Sequence, residues 1–218
     1  MKKIYFIILL IFSILPATAQ NAGKNDPEAK IILDGVSAKF KAFKTVKATF
    51  TYKVENSAGK TLSSKTGTVY MKGIKYQVSI VGQEIFCDGQ NIWTFDKSAN
   101  EVTITTFDTE SSTLTPQKLF TNFYDQDFLY KLNGEKKQGT KTIQEIEMTP
   151  SDKSKPFHKV YIYVDKIGKI INSTRVLEKS GSRYSYIVNT MSPNSAVADS
   201  KFAFDPKKYP GVEVIDLR

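Results

Sequence analysis

One cysteine and one histidine stand in the whole 218-residue chain. A single cysteine excludes an intramolecular disulfide and any multi-cysteine zinc or iron–sulfur centre. A single histidine excludes zinc sites built on two or three imidazoles. A Ser-His-Asp or Cys-His device would have to use His158, in Pro156-Phe157-His158-Lys159, and there is no Gly-x-Ser-x-Gly elbow for it to serve. Neither Gly-x-x-x-x-Gly-Lys-Ser/Thr nor Gly-x-Gly-x-x-Gly occurs, so the usual phosphate cradles are missing. The acidic pairs Asp125/Asp127 and Asp108/Glu110 lie in polar, loop-like or helix-end stretches where solvation accounts for them. The formal charge of +9 is carried by dispersed lysines rather than a basic tract, which gives no nucleic-acid surface. Nothing here calls for a cofactor or a metal.

What the chain has in plenty is apolar residues, 40% of the total, enough for a sizeable core. The first of them read as an address. Lys2 and Lys3 form a basic start, Ile4 to Leu15 an apolar run broken only by Ser13, and Pro16 ends it. Ala17-Thr18-Ala19 has the small-x-small pattern of a signal-peptidase site, so residues 1–19 are expected to be a signal peptide cleaved after Ala19. The run is shorter than the roughly 20 residues of a spanning helix. No cysteine follows the site, so lipidation of this chain is not expected. Removing Lys2 and Lys3 takes the charge from +9 to +7. Cys87, in the strand-like Glu84-Ile85-Phe86-Cys87-Asp88, reads as a small buried hydrophobe, which suits an oxidising compartment.

Residues 20–218 read as one β-rich domain with two helices. Asp26-Pro27-Glu28 supplies an N-cap, a first-position proline and an acid for the first turn. Ile32, Leu33, Val36, Phe40 and Phe43 then recur at helical spacing. At Ala48, Phe50, Tyr52 and Val54 the period changes to two, a half-buried strand. Further strands are expected at 66–71, 75–81, 84–87, 91–95 and 101–107, with Asp88-Gly89 as a hairpin turn. Thr115-Pro116-Gln117 opens an expected second helix carrying Leu119, Phe120, Phe123, Phe128, Leu129 and Leu132, stopped by Asn133-Gly134. Strands near 142–149, 158–165, 169–178, 183–191 and 213–216 complete the pattern. Alternation of this kind gives a sheet one dry face and one wet face. Two Phe- and Leu-rich helices would cover the dry one, either as ordinary core or as the roof of a pocket for an apolar ligand. Periodicity does not choose between these.

Several segments resemble the LolA family of periplasmic lipoprotein carriers. They are Ala48-Thr49-Phe50-Thr51-Tyr52-Lys53-Val54, Gly67-Thr68-Val69-Tyr70-Met71-Lys72, and Cys87-Asp88-Gly89-Gln90-Asn91-Ile92-Trp93-Thr94-Phe95-Asp96. Leu114-Thr115-Pro116, Ser185-Tyr186, Lys201-Phe202-Ala203-Phe204-Asp205-Pro206 and Gly211-Val212-Glu213-Val214 follow in the same order, so the likeness runs from about residue 28 to 216. It implies a mainly β, α+β fold: an unclosed antiparallel β-barrel, or half-barrel, with helices covering its concave apolar face.

The resemblance also implies a monomeric, non-enzymatic carrier of lipoprotein acyl chains. Such a carrier takes them from an inner-membrane ABC-type releasing complex and passes them to an outer-membrane acceptor. The cavity residues carried over by position are Phe50, Tyr52, Tyr76, Val78, Ile80, Trp93, Phe95, Val102 and Ile104, with Phe40, Phe43, Leu119, Phe120 and Phe123 on the covering helices. In Ile92-Trp93-Thr94-Phe95 either face could be the inner one. The family's Arg-Pro pair after the second strand, whose arginine bonds the lid, is replaced by Met71-Lys72-Gly73, leaving Lys72 as the candidate latch without arginine's planar fork. Two other readings stay open. One is a binder of another lipid or glycolipid, or an envelope-stress sensor, on the same half-barrel. The other is an enzyme on an amphiphilic substrate that uses His158 or a carboxylate.

Overall fold

The computed structural model describes residues 25–108 and 124–218. The expected signal peptide and its cleavage site lie outside the described residues, as do Leu119, Phe120 and Phe123. Helix α1 (Pro27–Lys41) begins where its sequence signals place it: Asp26 caps it by accepting the Glu28 amide at 2.9 Å, with Pro27 in the first turn.

Six strands then form an antiparallel meander: β1 (Val46–Glu55), β2 (Thr61–Lys72), β3 (Lys75–Ile80), β4 (Gln83–Cys87), β5 (Asn91–Asp96) and β6 (Glu101–Thr106). After the short helix α2 (Tyr124–Asp127), a second meander runs through β7 (Phe128–Gln138), β8 (Lys141–Pro150), β9 (Phe157–Asp165), β10 (Ile170–Glu178) and β11 (Arg183–Pro193). Antiparallel pairing of β1 with β11 joins the two meanders, and β12 (Glu213–Asp216) adds in parallel to β6. The order β12-β6-β5-β4-β3-β2-β1-β11-β10-β9-β8-β7 is linear, so the barrel is unclosed.

One expected element is corrected. Residues 128–132 are not the end of a helix but the start of β7. Phe128, Tyr130 and Leu132 alternate inward and stand opposite Pro150, Met148 and Ile146. Asn133-Gly134 is accordingly no helix stop. The register of β7 against β8 shifts between Leu132 and Gly134, a bulge at which Gly134 has φ +134°.

The inner face of the sheet carries two apolar clusters. Ala29, Leu33 and Val36 of α1 pack with Tyr130, Ile146, Met148, Ile162 and Val164. Phe40 in the last turn of the helix and Phe43 just beyond it pack with Ala48, Val69, Met71, Tyr76 and Cys87. The outer face is divided. Over β4–β6 it is dry, because Phe204, Tyr209 and Val212 of the C-terminal segment cover Phe86, Phe95 and Val102. Over β8–β11 it is polar, with Glu55 bonded to Arg175 at 2.6 Å and Glu147 bonded to Lys159.

Candidate functional site

Directly opposed residues of an antiparallel pair share a face, so the strand register assigns each expected cavity residue to one side. Phe50 of β1 stands opposite Gly67, and Gly67 opposite Ile80. Val69 stands opposite Val78 and Met71 opposite Tyr76. Phe50, Tyr52, Tyr76, Val78 and Ile80 therefore lie together on the inner face, and Phe40 and Phe43 meet that face from α1 and the residues after it. The Phe40 and Phe43 rings are 6.3 Å apart at 74°, an edge-to-face pair.

Four other residues go elsewhere. Ile92 stands opposite Cys87 and faces inward, which turns Trp93 and Phe95 outward. Val102 and Ile104 stand opposite Phe95 and Trp93 and share their side. All four thus lie on the outer face, where the Phe95 ring is tilted against that of Tyr209, 4.5 Å away, under the C-terminal segment. The phase left open in Ile92-Trp93-Thr94-Phe95 is settled against the cavity for Trp93, Phe95, Val102 and Ile104. Lys72 is corrected for the same reason. Met71 points inward, so Lys72 points outward, away from α1, and its ammonium meets Asp199 at 2.6 Å.

The tie on α1 is at the other end. Asp26 accepts the amides of both Glu28 and Leu132 at 2.9 Å, donates its own amide to the Tyr130 carbonyl, and has Asn25 beside it accepting from the Tyr130 amide. The Leu132 amide is the main reason the Asp26 carboxyl lies below its ordinary value. Further along, the Tyr124 hydroxyl donates to Asp34 at 2.9 Å. The helix is thus pinned to the edge strand β7 at its N-terminus; at its far end Phe40 and Phe43 make apolar contacts, and the Lys44 amide just beyond donates to Asn194 at 2.9 Å.

Inner-face residues that the sequence did not single out come from β11. Val188 stands opposite Phe50, and Tyr186 and Tyr184 stand opposite Tyr52 and Val54. Tyr52 is stacked on Tyr184 at 6.0 Å and tilted against Tyr186 at 5.1 Å. Burial, then the neighbouring Tyr186 and Tyr184 phenols, push Tyr52 up to about 12, so it is neutral at any physiological pH. The alternation Tyr184, Tyr186, Val188 is visible in the sequence. Its pairing with a strand some 130 residues earlier is not.

Among the described residues, α1 lies close against one part of this face. The space left between α1 and β10–β11, lined by Val36, Phe40, Phe43, Ile171 and Met191, is about 10 Å³, about one water's worth. Chemistry is poorly provided for. Cys87 is fully buried and its burial pushes the thiol up, away from reactive thiolate, while His158 is exposed on β9.

Comparison with known proteins agrees with this geometry. Residues 41–205 match the family described as "Outer membrane lipoprotein carrier protein LolA". Outer-membrane lipoprotein carrier proteins of Pseudomonas putida are similar: that of strain GB-1 is 27% identical over 175 residues, 78% of this chain and 81% of the relative. That of strain W619 is 26% identical over 180 residues, 78% of this chain and 80% of the relative. Among solved structures, an uncharacterised conserved protein from Thermus thermophilus superposes with a TM-score of 0.59 at 12% identity, covering 87% of this chain and 99% of that one. MucB superposes with a TM-score of 0.51 at 15% identity over 88% of this chain and 67% of that one. At those identities the two structures share the fold alone. With three quarters of its length matched to the family and an unclosed sheet roofed by a helix, the chain belongs to the LolA family of outer membrane lipoprotein carrier proteins.

Proposed function

We propose that this protein carries lipoproteins through the periplasm, taking their acyl chains from an inner-membrane ABC-type complex and delivering them to an outer-membrane acceptor. The observation that carries the reading is the inner face. It is an apolar wall of Phe50, Val69, Tyr76 and Val78, roofed by the Phe40 and Phe43 rings. Each acyl methylene exposed to water costs about 0.8 kcal/mol, so a lipoprotein needs such a wall to leave a membrane. Entry of an acyl chain displaces α1 and exchanges helix–sheet burial for ligand–sheet burial, which keeps net affinity moderate and release feasible. Phe50, Tyr52, Tyr76, Val78 and Ile80 form the acyl wall, and Phe40 and Phe43 the moving roof. Export behind a signal peptide ending at Ala19 and action as a monomer belong to the same reading.

The test is release of newly made, labelled lipoproteins from spheroplasts by the purified chain lacking residues 1–19. Soluble lipoprotein complexed with the chain is expected, with release reduced at least roughly tenfold by Phe50→Glu in a protein whose circular dichroism is unchanged. Absence of any released lipoprotein, with phospholipid or glycolipid co-purifying instead, would sink the lipoprotein reading.

A further inference from the structure

A far larger void lies on the opposite side of the sheet, between β2–β4 and the C-terminal segment 196–209, with a volume of about 680 Å³. That is within the roughly 300–1,000 Å³ range of small-molecule sites. Its floor is two cross-strand rows read directly from the register: Thr68, Ser79 and Glu84 in one, Tyr70, Gln77 and Phe86 in the other. The segment is fastened above it by Phe204, whose ring packs 5.8 Å from Phe86 and 4.6 Å from Tyr209. The Tyr209 hydroxyl also donates to Glu84 at 2.7 Å.

The charged groups here have partners, and one buried polar atom has none. Glu84 has Lys97 at 2.7 Å as well as Tyr209, Lys208 has Asp205 at 3.9 Å, and Lys201 lies 4.7 Å above the Tyr70 ring. Gln77 is 3% exposed, yet its Oε1 is buried with no hydrogen-bond partner. A buried carboxamide oxygen left without a donor is uncommon in native proteins and calls for an explanation. The terminal torsion of glutamine is broad, so a small rotation offers that oxygen to a donor in the void.

We propose that this cavity binds a neutral saccharide unit. The ligand must bring O–H or N–H donors, since the unmet group is an acceptor and Glu84 adds a carboxylate acceptor beside it. It must also lie against flat apolar surface, because Phe86, Tyr70 and Tyr209 border the same space. It need not be charged, because Glu84 and Lys208 are in ion pairs and Lys201 lies over the Tyr70 ring. An acyl chain would strand Thr68, Ser79 and Gln77 against hydrocarbon. A sugar ring meets every condition, with hydroxyls for the amide and the two hydroxyl side chains, and C–H faces for the aromatic rings.

The experiment is saturation-transfer NMR and titration calorimetry with N,N′-diacetylchitobiose and maltose on the chain lacking residues 1–19. Saturation transfer to at least one of them is expected, with affinity roughly tenfold weaker in Gln77→Leu and unchanged in Phe50→Glu, which alters only the inner face. Should Gln77→Leu fail to fold, Thr68→Val combined with Ser79→Ala makes the same demand. No transfer to either sugar at tens of millimolar, or equal binding by the floor variants, overturns the proposal. Neither outcome bears on lipoprotein release.

Discussion

Gly67 has an ordinary backbone conformation, so its lack of a side chain is a matter of space. A Cβ there would fall 2.5 Å from Cζ of Phe50 and 2.8 Å from the Ser79 carbonyl oxygen. Phe50 can lay its ring across the sheet only because the residue opposite has nothing to raise it. Gly67→Ala is therefore expected to lose about 1–3 kcal/mol through overpacking, a fall in Tm of roughly 2–4 °C for each kcal/mol at this chain length. Adding Phe50→Leu should restore part of that loss and not all of it, because the second clash is with backbone. Thermal melts of the two single variants and the double variant measure both parts. A Gly67→Ala protein as stable as the parent would show that Phe50 does not need the space. Cys87 makes the contrasting case on the same face: it is fully buried beside Tyr76, with its thiol directed at the Ile74 carbonyl.

At the scale of elements, α1 is a roof fastened at both ends. Its N-terminal end is tied by hydrogen bonds between Asp26 and β7, and its other end by the apolar contacts of Phe40 and Phe43 and by the Lys44 amide on Asn194 just beyond it. Removing the cap with Asp26→Ala is expected to cost about 1–2 kcal/mol. Hydrogen exchange of the α1 amides should accelerate while those of β1, β2 and β11 keep their protection. Equal acceleration in the sheet would mean that the helix and sheet open as one unit.

Helix α1 was legible because its cap, its proline and its period agree. The strands were legible wherever one face is wet. Phe128-Leu129-Tyr130-Lys131-Leu132 was not, because it carries apolar residues at both helical and strand spacing, and only the hydrogen bonds from β8 decide between them. Ile92-Trp93-Thr94-Phe95 was not, because both sides of the sheet are dry there. The outward dryness depends on Phe204 and Tyr209, more than 100 residues further on. The Lys72 assignment failed for a simpler reason: strand alternation puts it on the side away from the roof.

Across the whole molecule, the carboxylates on the outer face make stability depend on pH. Glu55 lies below its ordinary 4.5 through its hydrogen bond to Lys53 and the nearby Arg175 charge. Glu147 is lowered too: burial pushes it upward, and its bonds to Lys159 and Asn133 outweigh that push. A carboxylate lowered by folding adds stability that is fully present above its unfolded value and is lost as pH falls through its folded value. Urea midpoints are therefore expected to be flat above about pH 5 and to fall progressively below 4.5, less steeply in Glu55→Gln and Glu147→Gln. A midpoint that rises on acidification would refute the assignment.

The strands β3 to β5 present one surface to the helix and another to the C-terminal segment, with successive residues belonging to opposite sides. A point substitution can therefore retune one surface without touching its counterpart. An inserted or deleted residue does the reverse: it exchanges Tyr76 and Val78 with Gln77 and Ser79 and spoils both at once. Such a chain can drift far in sequence while the lengths of these short strands stay fixed.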